Sequence, residues 1–222
     1  LYIQKGELKG FIKKIEKKAY DMGIKIEYVD KKYIEKFAEN TAHQGVMAKM
    51  PSFGYSSVDE MIIYAKKRNE DPFLIILDEI TDPHNLGSII RTAEVAGCHG
   101  VIIPKHRACE VNATAIKTSA GAVFNIKIAR VTNITTTINY LKEHNIWIYG
   151  ACGEASQTHT QANLKGPIGL VIGNEGKGIS RLVRENCDQL IKIPMYGKTE
   201  SLNASNAASI LIYEVIRQRY EK

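Results

Sequence analysis

Three separated stretches of the chain carry more polar chemistry than their local structure requires. In residues 201–206, Ser201-Leu202-Asn203-Ala204-Ser205-Asn206, four Ser and Asn side chains stand at the start of a helix that needs only one capping oxygen. They read either as a cap followed by a polar helix surface or as groups aimed at a ligand. In residues 172–180, "IGNEGKGIS", the carboxylate Glu175 is bracketed by Gly173, Gly176 and Gly178. Such glycines permit a tight turn whose amides face a ligand, while the carboxylate could equally complement the dipole of a following helix. The order Gly173-x-x-Gly176-x-Gly178 is wrong for a dinucleotide fingerprint, and Lys177 lacks the Ser or Thr that a phosphate loop places after it. In "ITDPHNLGSIIRTAEVAGC", Asn85 and Arg91 lie six residues apart, nearly two helical turns, flanking a small-residue face. Amid Ile89, Ile90, Thr92, Ala93 and Val95, Arg91 reads as a partly sheltered cation: snorkelling to solvent, paired with Glu94, or binding an anion.

Each stretch follows a short β-rich run. From Pro72 onward, "FLIILDEI", "GVIIP", "VFNIKIA", "IWIYGA", "IGLVIG" and "LIKIP" alternate with segments of helical length, and the last helix repeats Ala204, Ala208, Leu211, Ile212 and Val215 at helical spacing. This grammar predicts an α/β fold, a parallel sheet between helices, with ligands at the carboxyl ends of its strands. Residues 1–52 form a smaller α/β unit: Leu1-Tyr2-Ile3 as a strand, Phe11, Ile12, Ile15 and Ala19 on one helix face, Ile24 to Val29 as a strand, a short helix capped by Asp30 with Ile34, Phe37 and Ala38, and a strand in "HQGVMAKM". Residues 53–71 read as a linker leading to a helix, and 72–222 as the second domain. The chain opens on a strand without an initiator Met, so an earlier beginning is expected.

With 222 residues, 30 Lys and Arg against 24 Asp and Glu, and a net charge of +6, the chain is long enough for a large core and favours a polyanionic partner. Lys9, Lys13, Lys14, Lys17 and Lys18 near the first helix are either phosphate contacts or a solvated face. Cys98, Cys109, Cys152 and Cys187 show no Cys-x-x-Cys spacing and follow no secretory segment, which predicts reduced, buried thiols and a cytoplasmic protein. His106 and Cys109 lack further ligands at zinc spacing, so no metal is expected, and no apolar run suits a membrane span.

Taken in order, "NLGSIIRT", "IGNEGKGIS" and "IPMYGKTESLNASNAASILIYE" resemble the three motifs of the SpoU family of SPOUT-class RNA ribose 2′-O-methyltransferases, a likeness covering residues 72–222. The first unit, with its "HQG", looks like the substrate-binding domain of the subgroup that methylates a guanosine of 23S rRNA. The resemblance implies a C-terminal trefoil knot, an obligate homodimer, rRNA as partner and S-adenosyl-L-methionine as cofactor. It assigns Gly173, Ile193, Leu202 and Ala151 to the cofactor, and Asn85, Arg91, Glu175, Ser201 and Asn203 to catalysis, leaving Ser205 as the ordinary cap. Asn206 stands where the family usually has an apolar residue.

Methyl transfer requires the acceptor oxygen, methyl and sulfur in line, and a poorly acidic hydroxyl made nucleophilic. A guanidinium holds its proton too firmly to act as the base. Arg91 is therefore expected to hold the phosphate beside the target ribose while Glu175 and Asn85 order the loops. Competing readings are a tRNA methyltransferase, a non-catalytic RNA-binding dimer of the same fold, and a nucleotide-dependent oxidoreductase, the last disfavoured by the missing fingerprint.

Overall fold

The computed structural model describes residues 1–6, 10–37 and 43–221 and divides into two units, Leu1–Ser52 and Phe53–Lys222. Lys9 and Ala38, named above, lie outside the described residues. The first unit contains β1 (Tyr2–Gln4), α1 (Phe11–Asp21), β2 (Glu27–Val29), α2 (Lys31–Glu35) and β3 (Val46–Met47). Strand β1 is central, parallel to β2 and antiparallel to β3. Among the described residues of this unit, Ile3, Ala19 and Ile34 are the buried apolar ones. Ile12 and Ile15 are half-buried, but Phe11, expected on the same face, is 72% exposed. Helical side chains lean toward the N-terminus, so a residue at the first position projects past the helix end. Lys13, Lys14, Lys17 and Lys18 are all exposed along α1.

The second unit contains α3 (Val58–Lys67), β4 (Phe73–Leu77), α4 (Pro83–Val95), β5 (Gly100–Pro104), α5 (Ala113–Thr118), β6 (Ile128–Val131), α6 (Ile134–Glu143), β7 (Trp147–Ala151), β8 (Gln157–Thr158), β9 (Ile168–Ile172), α7 (Arg181–Asn186), β10 (Gln189–Lys192) and α8 (Ala204–Tyr220). Seven strands run in the order β6-β5-β4-β9-β7-β10-β8, and every ladder is parallel. All five residues of β4 and of β9 are buried because helices cover both faces. Alternate β4 side chains divide between two cores. Phe73, Ile75 and Leu77 join Ile89, Ala93, Leu211 and Val215 of α4 and α8, whereas Leu74 and Ile76 join Met61, Ile62, Ile138 and Leu141 of α3 and α6.

The stretch 53–71, expected as a linker, lies within the larger unit: Ser56 bridges to Ala129 at the sheet edge, and α3 buries Met61, Ile62 and Ala65. A full capping box between Ser57 and Glu60 starts this helix. "VFNIKIA" was expected as one strand, but Ala122–Phe124 form a one-turn 3-10 helix and the strand begins only at Ile128. Gly121, at φ 84°, turns the chain there, and Phe124 N–H donates to the Gly121 carbonyl. Strand β8, a two-residue edge, carries no pattern of its own in the sequence and is held by pairing with β10.

His99 joins α3 to the sheet. Its Nδ1 accepts the Phe73 N–H at 3.0 Å and its Nε2 lies 3.0 Å from Glu70 Oε2, which fixes the neutral tautomer with the proton on Nε2. Burial holds its pKa below the ordinary histidine value. All four cysteines are free, with Cys98 buried and the other three half-buried; burial pushes the Cys187 thiol up to about 12. Among the described residues, no helix is long and apolar enough to cross a membrane.

Candidate functional site

Helix α4 begins at Asp82, whose carboxylate accepts the His84 N–H at 3.0 Å, with Pro83 at the first position where a missing N–H costs nothing. This start places Asn85 in the first turn, only 7% exposed, at the carboxyl end of β4. Its amide Nδ2 donates to Glu175 Oε1, and its Oδ1 accepts from Asn203 Nδ2 at 2.8 Å. The same Glu175 oxygen receives Asn203 Nδ2 at 3.3 Å and the Ala204 backbone N–H at 3.4 Å. One carboxylate oxygen thus gathers donors from the loops after β4 and β10, and the loop after β9 supplies the carboxylate.

Asn203 also caps α8: its Oδ1 accepts the Ser205 N–H at 3.0 Å, the Asn206 N–H at 3.4 Å and the Ser205 hydroxyl at 2.6 Å. The capping role expected of Ser205 therefore belongs to Asn203, because only the residue preceding the first turn can reach its free amides. Thr92 Oγ1 of α4 and Ser209 Oγ of α8 meet at 3.2 Å, joining the two helices whose first turns hold Asn85 and Asn203.

The loop after β9 folds on itself. Asn174 and Gly178 exchange backbone hydrogen bonds of 3.1 and 2.8 Å, and Asn174 Oδ1 accepts the amides of Gly176 and Lys177 at 2.9 and 3.4 Å. The Gly176, Lys177 and Gly178 amides are therefore consumed within the loop rather than turned toward a ligand, contrary to one reading of the glycines. Gly173 is needed by this fold-back: a Cβ there would lie 2.2 to 2.4 Å from the Gly178 carbonyl and the Ile179 nitrogen. Two residues not singled out in the sequence pin the loop from outside. Asp78, 5% exposed, accepts the Ser180 N–H at 2.7 Å, and the Glu79 carbonyl accepts Asn174 Nδ2 at 3.3 Å. The legible signal for Asp78 was a carboxylate directly after five buried strand residues.

Arg91 and Ser201 are not drawn into this network. Arg91 is exposed rather than sheltered, since the neighbouring Ile89, Ile90 and Ala93 turn the other faces of α4 to the core. It makes no hydrogen bond or ion pair among the described residues, with Glu94 or otherwise. Ser201 is likewise exposed and without a hydrogen bond among them.

Three of the four residues that the resemblance assigns to the cofactor lie at adjacent strand ends, and Leu202 lies just before α8. Ala151 closes β7, Gly173 follows β9 and Ile193 follows β10, with Ile191 in register with Ala151. Among the described residues the backbone N–H and C=O groups of Gly173, Ile193 and Leu202 have no protein partner, while Ala151 and Ile193 pack partly buried against the core and Leu202 is half-buried. Unpaired backbone donors and acceptors beside apolar side chains suit the edge and faces of a purine, so these residues fit S-adenosyl-L-methionine. No cluster of three or more metal-ligating side chains occurs among the described residues.

Comparison with known proteins identifies the family and the fold. The model of the SpoU rRNA Methylase family matches residues 72–213, and that for RNA 2'-O ribose methyltransferase substrate binding matches residues 1–56. The chain is 45% identical to the putative TrmH family tRNA/rRNA methyltransferase YacO of Bacillus subtilis, over 99% of this chain and 88% of that protein. It is 40% identical to the 23S rRNA (guanosine-2'-O-)-methyltransferase RlmB of Haemophilus influenzae, over 99% and 89% respectively. Among solved structures, the SpoU methyltransferase AviRb from Streptomyces viridochromogenes, in complex with AdoMet, superposes with a TM-score of 0.78 at 24% identity, covering 100% of this chain and 83% of that one. Motif order, sheet architecture and these matches over nearly the whole length lead to one assignment: the chain belongs to the SpoU rRNA methylase family.

Proposed function

We propose that this protein transfers a methyl group from S-adenosyl-L-methionine to the ribose 2′-oxygen of a guanosine in 23S rRNA. The observation that carries the reading is the Asn85–Glu175–Asn203 network, which ties three loops together beside the unpaired backbone groups of Gly173, Ile193 and Leu202. The identity to RlmB supports the guanosine of 23S rRNA as target, and the first unit, with exposed Lys13, Lys14, Lys17 and Lys18, supports RNA affinity.

The cofactor supplies an electrophilic methyl on sulfur. The acceptor oxygen forms the new O–C bond as the C–S bond breaks, and the hydroxyl proton passes to a neighbouring phosphate or water. In this reading Glu175, fixed by three donors, and Asn85 hold the loops still so that acceptor and methyl stay in line. Arg91, exposed and without a partner among the described residues, takes the phosphate beside the target ribose through its planar fork. Ser201, exposed next to the cofactor positions, is available to hydrogen-bond the ribose. The reading includes a homodimer, a trefoil knot in the C-terminal segment, a first domain over 1–52 and a methyltransferase domain over 72–222.

Incubation with a labelled methyl donor and unmodified 23S rRNA or tRNA, followed by mapping of the modified ribose, tests the proposal. A 2′-O-methylguanosine in the 23S rRNA is expected. Transfer confined to tRNA refutes the target, and failure to bind S-adenosyl-L-methionine by calorimetry refutes the activity in favour of a non-catalytic RNA-binding dimer.

A further inference from the structure

The cofactor positions lie at the ends of β9, β7 and β10, on one side of Glu175. On the other side of Glu175 lie the ends of β4 and β5. The loop leaving β5 presents Lys105, His106 and Arg107 there, all exposed. Arg107 is a non-glycine residue at φ 58°, and Glu79, in the loop leaving β4, has φ 57°. Two left-handed residues on neighbouring loops face each other, with Arg107 Nη1 3.5 Å from Glu79 Oε1. Left-handed backbone is strained for residues that carry a side chain, and such strain clusters at functional sites.

The loop is anchored beneath. Arg130 Nη2 donates to the Lys105 carbonyl at 3.2 Å, its Nη1 pairs with Glu110 at 3.0 Å, and the Cys109 N–H donates to the Ile80 carbonyl at 2.8 Å. Glu79 continues the connection, its carbonyl accepting from Asn174 of the Glu175 loop. The Arg107 side chain nonetheless remains 83% exposed, and Lys105 has no acidic partner among the described residues. Two exposed cations on an anchored loop, Arg107 facing a single carboxylate and Lys105 with no acidic partner among the described residues, stand beside a site for RNA ribose chemistry and match the spaced negative charges of a nucleic-acid strand.

We propose that Lys105 and Arg107 hold backbone phosphates of the acceptor RNA strand flanking the target nucleotide, an inference that rests on the functional reading above. The test uses the full chain carrying Lys105→Ala with Arg107→Gly, because glycine relieves the left-handed backbone while removing the cation. Binding to an unmodified 23S rRNA transcript should weaken roughly tenfold, and the slope of log K against log salt should fall by about 1.4, near 0.7 for each single-strand phosphate that is no longer neutralised. Arg107→Lys alone should retain most of the affinity, and the loss in turnover should appear chiefly in KM for RNA. Binding of S-adenosyl-L-methionine and the melting temperature should match the parent. Lys105→Ala, at an ordinary backbone position, should show about half the slope change and guards against a folding artefact. An RNA Kd within twofold of the parent with an unchanged salt slope overturns the assignment. Should the parent itself neither bind the cofactor nor methylate RNA, the functional reading fails instead, so the two failures are distinct.

Discussion

Removing the Glu175 carboxylate is the sharpest test of the network. Its Oε1 receives Asn85 Nδ2 through a short contact, Asn203 Nδ2 at 3.3 Å and the Ala204 N–H at 3.4 Å. Hydrogen bonds to a charged group contribute about 1.5–3 kcal/mol and neutral ones about 0.5–1.5 kcal/mol, and the two longer contacts count at the low end. Glu175→Gln keeps an acceptor at the same place but loses the charge, a change of about 1 kcal/mol. Glu175→Ala leaves the Asn85 amide, at 7% exposure, without its acceptor, which costs about 2 kcal/mol. If the network positions the loops for transfer, these energies enter the barrier. At about 1.4 kcal/mol per tenfold, Gln should lower kcat/KM about fivefold and Ala about thirtyfold. Methyl incorporation from a labelled donor into 23S rRNA, with thermal melting in parallel, reads both effects, and Ala should melt about 4–8 °C lower. An alanine variant with kcat/KM and melting temperature both near the parent's would refute the reasoning.

Other expectations follow from the same geometry. Asn85→Asp sets a second carboxylate against Glu175 in a buried position, where the pair prefers to share one proton; its methylation rate relative to the parent should rise as pH falls from about 8 to 6, and a flat ratio contradicts this. Gly173→Ala drives a Cβ to within 2.4 Å of the Gly178 backbone, so the loop must open; calorimetry should find S-adenosyl-L-methionine binding lost, and retained affinity would show that the loop tolerates the shift. Arg91→Ala should abolish most transfer while leaving cofactor binding intact, with little rescue by Lys if the bidentate fork is what matters; parent-like turnover removes Arg91 from the mechanism. Burial keeps the folded-state pKa of His99 below its unfolded value, and Arg68 with His99 keeps that of Glu70 low. In both cases the unfolded chain binds protons first as pH falls, so the His99 contribution should be lost as pH falls below about 6.5 and the Glu70 contribution as it falls below about 4.5. His99→Gln should flatten that decline in melts between about pH 8 and 5, and an unaltered slope would place the sensitivity elsewhere.

The parallel α/β architecture was legible because buried strands and amphipathic helices leave different periods in the sequence, as "FLIIL" and α8 do. Boundaries were less legible where a tertiary partner decides the conformation. Val123 and Phe124 have strand propensity, yet Gly121 and local turn bonds take them into a 3-10 helix. Residues 53–71 looked like a connector because the apolar stripe of α3 acquires its meaning only from the sheet it covers. In the site, the surplus polarity at 201–206 pointed to Asn203, but nothing local could show that its amide answers a carboxylate 28 positions earlier and another amide 118 earlier. The roles of Asp78 and Glu79 are illegible in the sequence for the same reason: their partners lie 102 and 95 residues away.

Sheet order explains why those distant residues must meet. From β4 the chain steps outward through β5 to β6, whereas β7, β10 and β8 lie on the opposite side of β9. Strands β4 and β9 are therefore neighbours, in register from Phe73 with Ile168 to Leu77 with Ile172, at the place where the connections diverge. Loops that leave in opposite directions open a crevice above the strand ends, which is where parallel sheets take their ligands. Asn85 follows one of these two strands and Glu175 the other, so their contact closes the floor of that crevice. Asn203, arriving from β10 beyond β7, must cross the end of β7 to reach them, and that crossing carries Leu202 with it. The chain order of the three motifs thus matters less than the two strands they flank. A variant that preserves every motif residue but opens the β4–β9 ladder, such as Leu170→Pro, which removes a backbone donor that faces β4 from a central strand, should lose cofactor binding and RNA methylation together. Loss of one without the other would separate the crevice from the network that spans it.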